Sequence, residues 1–83
     1  SELYKKLSDT ESKKESDKSI EYLKEIVKLD SADFIAWAKL GVLYFEKKSY
    51  PEADAAFRKS LELKTEYTPA WINVGMMRVA QKQ

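Results

Sequence analysis

Residues 37–44 have the sequence WAKLGVLY. Four of these residues follow the i, i+3, i+4, i+7 spacing of one stripe along an α-helix: Trp37, Leu40, Gly41 and Tyr44. After a short polar interval, Ala53 and Phe57 lie four residues apart and therefore share one face of a second helix. The pattern predicts two consecutive helices that pack against each other through these stripes.

The same pattern recurs along the chain at a constant interval. Trp71 lies 34 residues after Trp37, and Gly75 lies 34 residues after Gly41. In the other direction the same interval places Leu23 in register with Phe57. A helix pair of this period, with W-x2-L-G-x2-Y followed by A-x3-F, resembles the tetratricopeptide repeat family. The resemblance implies an all-α, right-handed helix-turn-helix solenoid of about 2.5 repeats. It also implies a protein-binding function, because members of this family bind other proteins.

The composition excludes several classes of function. The chain has 83 residues, enough for one small domain, and contains neither histidine nor cysteine. Ser–His and Cys–His catalysis and the usual zinc sites are therefore excluded. The two glycines both fall within predicted helices, so no glycine-rich phosphate loop is available. We expect neither an enzyme nor a cofactor or metal site.

Charge and hydropathy limit the partners. The formal net charge is +1, and neither half of the chain has the basic excess typical of a nucleic-acid-binding surface. No apolar run approaches the length of a transmembrane helix, so membrane insertion is not expected, and a cytoplasmic protein is the default expectation. Of the partner classes considered, a protein or peptide is therefore the one we expect.

The first third, residues 1–33, reads as a degenerate repeat. Residues 3–7 carry a short apolar edge, and residues 8–19 contain no apolar side chain, which favours a polar loop. Phosphorylation of that loop is a sharper alternative. A helix capped by Ser16 or Asp17 should then continue to about Asp30. Its expected buried stripe is Ile20, Tyr22, Leu23, Ile26 and Val27.

The remainder divides into a complete repeat, 34–67, and a half repeat or capping helix, 68–83. Asp33 is the expected N-cap of a helix over 34–46, and a turn over 47–49 precedes a helix over 51–63 with Pro51 at its first position. Thr68 is the expected N-cap of the last helix. Lys48 stands where the family usually has Gly, and Thr65 where it usually has Pro. The recurring glycines predict close approach of a paired helix.

The resemblance also implies a concave groove lined by the first helix of each repeat. Matched position by position, the predicted groove residues are Ala38, Lys39, Val42, Phe45, Ile72, Asn73 and Met76. The helical spacing agrees in part, since Ala38, Val42 and Phe45 form a second apolar stripe on their helix. Packing against neighbouring repeats is the competing explanation for this stripe.

We therefore predict a protein–protein interaction module that binds a peptide or helix in a partly apolar groove, as a fragment of a larger scaffold or adaptor. Some relatives clamp acidic chaperone tails, but here Ala38 and Val42 stand where that clamp needs Lys and Asn. The alternative is a self-associating element, a homo-oligomer formed through its incomplete terminal repeats. A regulatory fragment of a larger enzyme is a third possibility.

Overall fold

The computed structural model describes the backbone of residues 2–82 and the side chains of residues 11–82. Within that part of the chain it contains four α-helices and no strand: α1 (Glu2–Leu29), α2 (Phe34–Glu46), α3 (Tyr50–Leu63) and α4 (Thr68–Gln81). Helix α2 packs against each of the other three, and α3 also packs against α4. The predicted all-α helical-repeat fold is confirmed.

Local signals set the bounds of α2 and α3. The Asp33 carboxylate accepts a hydrogen bond from the Ala36 amide at 3.0 Å, which confirms the predicted N-cap. The turn between the helices places Lys48 at a φ of 62°, the left-handed region that favours glycine. The positive φ is a physical reason for the Gly that the resemblance implies at this position. Pro51 lies in the first turn of α3, as predicted.

The first third differs from the prediction, because α1 runs without interruption from Glu2 to Leu29. The expected polar loop over 8–19 is wrong, and so is the expected helix start at Ser16 or Asp17. The Lys and Glu residues of this segment are good helix formers, and their propensity outweighs that of the interspersed Ser, Asp and Thr. The apolar edge expected from the side chains of residues 3–7 lies outside the described ones. Residues 11–29 thus belong to one continuous helix.

Two clusters of buried side chains form the core, one on each side of α2. The first joins α1, α2 and α3: Ile20, Val27, Ala36, Leu40 and Ala56. The second joins α2, α3 and α4: Ala38, Ala53, Phe57, Ala70 and Met77. The stripe expected on α1 is buried at Ile20 and Val27 and half-buried at Leu23 and Ile26. The expected burial of Tyr22 is wrong, since 67% of this residue is exposed.

The two glycines have different surroundings although they lie in the same sequence pattern. A Cβ added at Gly41 would lie 2.7–2.9 Å from ring atoms of Phe57, closer than van der Waals contact permits. This confirms the predicted close approach of α3. A Cβ at Gly75 would meet nothing within 4 Å, so the same prediction is wrong there. No described helix packs on that side of α4.

In other respects α4 repeats the local structure of α2. The Trp37 indole donates to the Ser31 carbonyl at 3.0 Å, and the Trp71 indole donates to the Thr65 carbonyl at 2.6 Å. Both donors and both acceptors are 34 residues apart. The expected Thr68 cap is wrong, because the N-cap is Tyr67, the residue 34 after Asp33. The N-cap of α4 therefore follows the 34-residue interval, one residue before the Thr68 hydroxyl on which the prediction was based.

Candidate functional site

An open apolar groove lies between α1 and α2, with a volume of about 400 Å³. The residues that line it define the α1–α2 groove: Ser19, Tyr22, Leu23, Lys39, Val42 and Leu43. Ser19, Tyr22 and Leu23 share one side of α1, because residues three and four apart are neighbours on a helix. Lys39, Val42 and Leu43 meet them from α2 in the same way. The groove is therefore an apolar channel with one lysine beside it.

One ion pair links α1 to the residue that follows α2. The Lys47 ammonium donates to the Asp17 carboxylate across the two helices. This hydrogen bond, and to a lesser extent the Lys47 charge, holds the pKa of Asp17 below its usual range. Further along α1, the Tyr44 phenol and then the Glu21 carboxylate raise the pKa of Lys24. The pair between Asp17 and Lys47 is partly exposed to solvent, so it adds a modest contact between α1 and the end of α2.

A second apolar surface lies on α4. Its four large side chains are each more than half exposed, and we call them the α4 surface: Trp71, Ile72, Met76 and Val79. The opposite side of the helix carries Ala70 and Met77, which are buried against α2 and α3. An exposed apolar surface next to an open glycine is typical of a helix that a further element covers.

The structure divides the seven predicted groove residues between these two surfaces and the core. Lys39 and Val42 line the α1–α2 groove, whereas Ile72 and Met76 belong to the α4 surface. The other three residues lie on neither surface. Ala38 is buried with Ala53 and Ala70, and Phe45 is half-buried with its ring 6.2 Å from that of Tyr50. Asn73 donates through Nδ2 to the Pro69 carbonyl at 2.9 Å. The surface of Ala38 is covered by the contact between α2 and α4.

Sequence reasoning missed the α1 side of the groove. Tyr22 and Leu23 were expected in the core, and Ser19 was expected in a polar loop. These residues line the groove because α1 is a single helix. Among the described helices, α1 packs closely on α2 alone. One feature of the sequence could have indicated this side of the groove. The 34-residue interval places Leu23 in register with Phe57, whose ring lies against Gly41 of α2.

Of the predicted signature residues, those of α2 and α3 take part in packing, whereas Trp71 is 52% exposed and a Cβ at Gly75 would meet nothing within 4 Å. Leu40 is buried, while Trp37 and Tyr44 are half-buried and pack against the first core cluster. These three side chains also form the floor of a second cavity of about 460 Å³ between α1 and α3. Lys24, Glu52 and Lys59 stand at its edge, so the charges there have both signs.

The residues that the structure describes contain no cluster of three or more acidic side chains suited to a metal ion. Among these residues, no helix is long and apolar enough to cross a membrane. The two surfaces described above are lined mainly by apolar side chains.

Comparison with known proteins gives one result for the family and one for relatives. The family model described as the tetratricopeptide repeat matches residues 35–67, which cover α2 except its first residue, all of α3 and the connection after each of them. No curated protein matches the chain. The tetratricopeptide repeat is in general a protein-interaction module.

Proposed function

Since the chain carries a tetratricopeptide repeat at residues 35–67, we propose that it binds a helix or extended segment of another protein in the α1–α2 groove. The observation that supports this proposal is the groove itself, an apolar channel between two packed helices. Tyr22 lies 67% exposed on its α1 side, and Val42 lies half-buried on its α2 side. Covering these side chains removes apolar surface from water, which is the main driving force for such association.

The lining defines the chemistry of the partner. Apolar side chains repeating every three to four residues would follow the channel between the helices, as in other complexes that place an amphipathic helix in a groove. Lys39 is the one charged residue of the lining, and it favours a carboxylate next to the apolar anchors. A single lysine is not enough to clamp an acidic tail, so apolar contact dominates. The site has the character of a scaffold or adaptor surface.

The test uses peptides selected for binding from a displayed random library, with affinities measured by fluorescence anisotropy. We expect Tyr22→Glu to abolish binding of groove-directed peptides, because it places a charge in the apolar channel. Leu29→Glu is the matched control: it makes the same kind of change on the same helix, at a position that is 85% exposed and outside the groove. Circular dichroism checks that both variants fold.

NMR shift mapping with the selected peptide identifies the binding surface directly. Changes concentrated on Tyr22, Val42 and Leu43 support the groove. The proposal fails if a folded Tyr22→Glu variant retains full affinity, or if the shifts lie on the outer side of α3.

A further inference from the structure

We propose that the occupant of the α1–α2 groove is helix α4 of a second copy of this chain, so that copies add head to tail. This inference rests on the proposed function and names the partner of the same site. It follows from comparing the two sides of α2 that other helices cover with the equivalent sides of α4, which are exposed.

Helix α2 is covered on two sides, and α4 offers the same two sides uncovered. On one side Gly41 lies against the Phe57 ring of α3; on α4 the corresponding residue is Gly75, which nothing approaches within 4 Å. On the other side Ala38 is buried with Ala70 of α4; the residue that corresponds to Ala38 is Ile72, which is more than half exposed. Helix α4 is therefore shaped to receive two helices.

The α1–α2 groove presents two such helices. Leu23 on α1 is in register with Phe57 on α3, so in a second copy it would lie over Gly75. Leu43 on α2 is in register with Met77, which belongs to the same buried cluster as Ala38. In a second copy it would therefore lie on the side of α4 that carries Ile72. Both Leu23 and Leu43 line the groove. One placement of α4 thus satisfies both of its open sides.

Charge supports the same placement. Arg78 takes the position that corresponds to Tyr44, whose carbonyl accepts a hydrogen bond from the Ser49 amide at 2.8 Å. The α1 residue in register with Ser49 is Glu15, and its side chain is exposed. Arg78 of one copy would thus lie beside Glu15 of the next, a pairing of opposite charges at the edge of an apolar contact.

The contact is heterologous, because it joins two different surfaces. Each copy keeps one groove and one α4 open after joining, so addition continues into longer assemblies unless the ring closes. The average mass should therefore rise steadily with concentration in sedimentation equilibrium. A symmetric pair formed through two α4 surfaces would instead reach a limit at the dimer.

Two blocked variants test the arrangement. Tyr22→Glu closes the groove and leaves α4 intact, whereas Ile72→Glu alters α4 and leaves the groove intact. Both positions are more than half exposed, so we expect both variants to fold. Each variant alone should be monomeric, and an equal mixture should form a discrete one-to-one complex. In an otherwise unchanged chain, Arg78→Glu and Glu15→Arg should each weaken association about two- to fivefold and should restore it when combined.

The proposal is overturned if the wild-type chain remains monomeric at every concentration, if the mixture forms no complex, or if the mass reaches its limit at a symmetric dimer. Peptide binding to the Ile72→Glu variant separates this failure from failure of the proposed function. If library peptides still bind its groove while copies do not associate, the groove binds a different partner and only the second-copy inference falls. If neither binds, both proposals fall.

Discussion

Replacing each of the two glycines by alanine provides the most direct test of the packing scheme. Gly41 and Gly75 are both in mid-helix, so alanine improves helix propensity by about 1 kcal/mol at either position. At Gly75 nothing lies within 4 Å of the added methyl group, and Gly75→Ala should stabilise the fold by about that amount. At Gly41 the methyl group would lie 2.7 Å from the Phe57 ring, and the added strain of overpacking costs about 1–3 kcal/mol.

The difference between the two variants is the informative quantity. Because the propensity gain is common to both, it cancels, and the difference in unfolding free energy equals the overpacking cost at Gly41, about 1–3 kcal/mol. For a domain of this size each kcal/mol corresponds to about 4–8 °C in the thermal midpoint. Gly41→Leu should cost more than Gly41→Ala, since its side chain is larger.

Thermal and urea unfolding followed by circular dichroism measure both variants, with the assembly blocked by Tyr22→Glu so that association does not contribute. Replacing Phe57 with leucine in the Gly41→Ala background should recover part of the loss, because the ring atoms that clash are removed. Equal shifts of the midpoint for Gly41→Ala and Gly75→Ala would refute the reasoning, since the two sites would then have the same surroundings.

Three further substitutions test single features of the fold. Lys48→Gly should stabilise the chain by about 1 kcal/mol in urea unfolding, because glycine carries no penalty at a positive φ; a loss of stability would contradict this. Ser60→Ala should cost about 1–2 kcal/mol in the same assay, since it removes the buried hydroxyl that donates to the Phe34 carbonyl at 2.8 Å. Asp17→Asn should weaken the pH dependence of stability: the lowered pKa of Asp17 gives a contribution that is present at neutral pH and is lost as the pH falls below the usual range of an aspartate. An unchanged acid-unfolding profile in the Asp17→Asn variant would show that the pair with Lys47 contributes nothing.

Local chemistry in the sequence determined the elements of the central repeat. The bounds of α2 match the prediction because Asp33 is a strong cap and the turn after Glu46 is polar. Those of α3 match within one residue because Pro51 suits a first helical turn. Signals of this kind act within a few residues, so they survive in any tertiary context. The 34-residue interval likewise placed Trp71 in register with Trp37, and the structure shows that the two indoles donate to carbonyls that are also 34 residues apart.

Tertiary structure alone decided the surfaces. Gly41 and Gly75 have the same sequence pattern, yet only Gly41 is covered, because a helix packs on α2 and none of the described helices packs on that side of α4. Ala38 and Ile72 differ for the same reason, one buried by α4 and the other open. Burial depends on which distant element reaches a residue, and periodicity along one helix carries no record of that element. The polar segment of α1 shows that local signals can also mislead. Its helix propensity, summed over several turns, outweighed the Ser, Asp and Thr residues that favour turns.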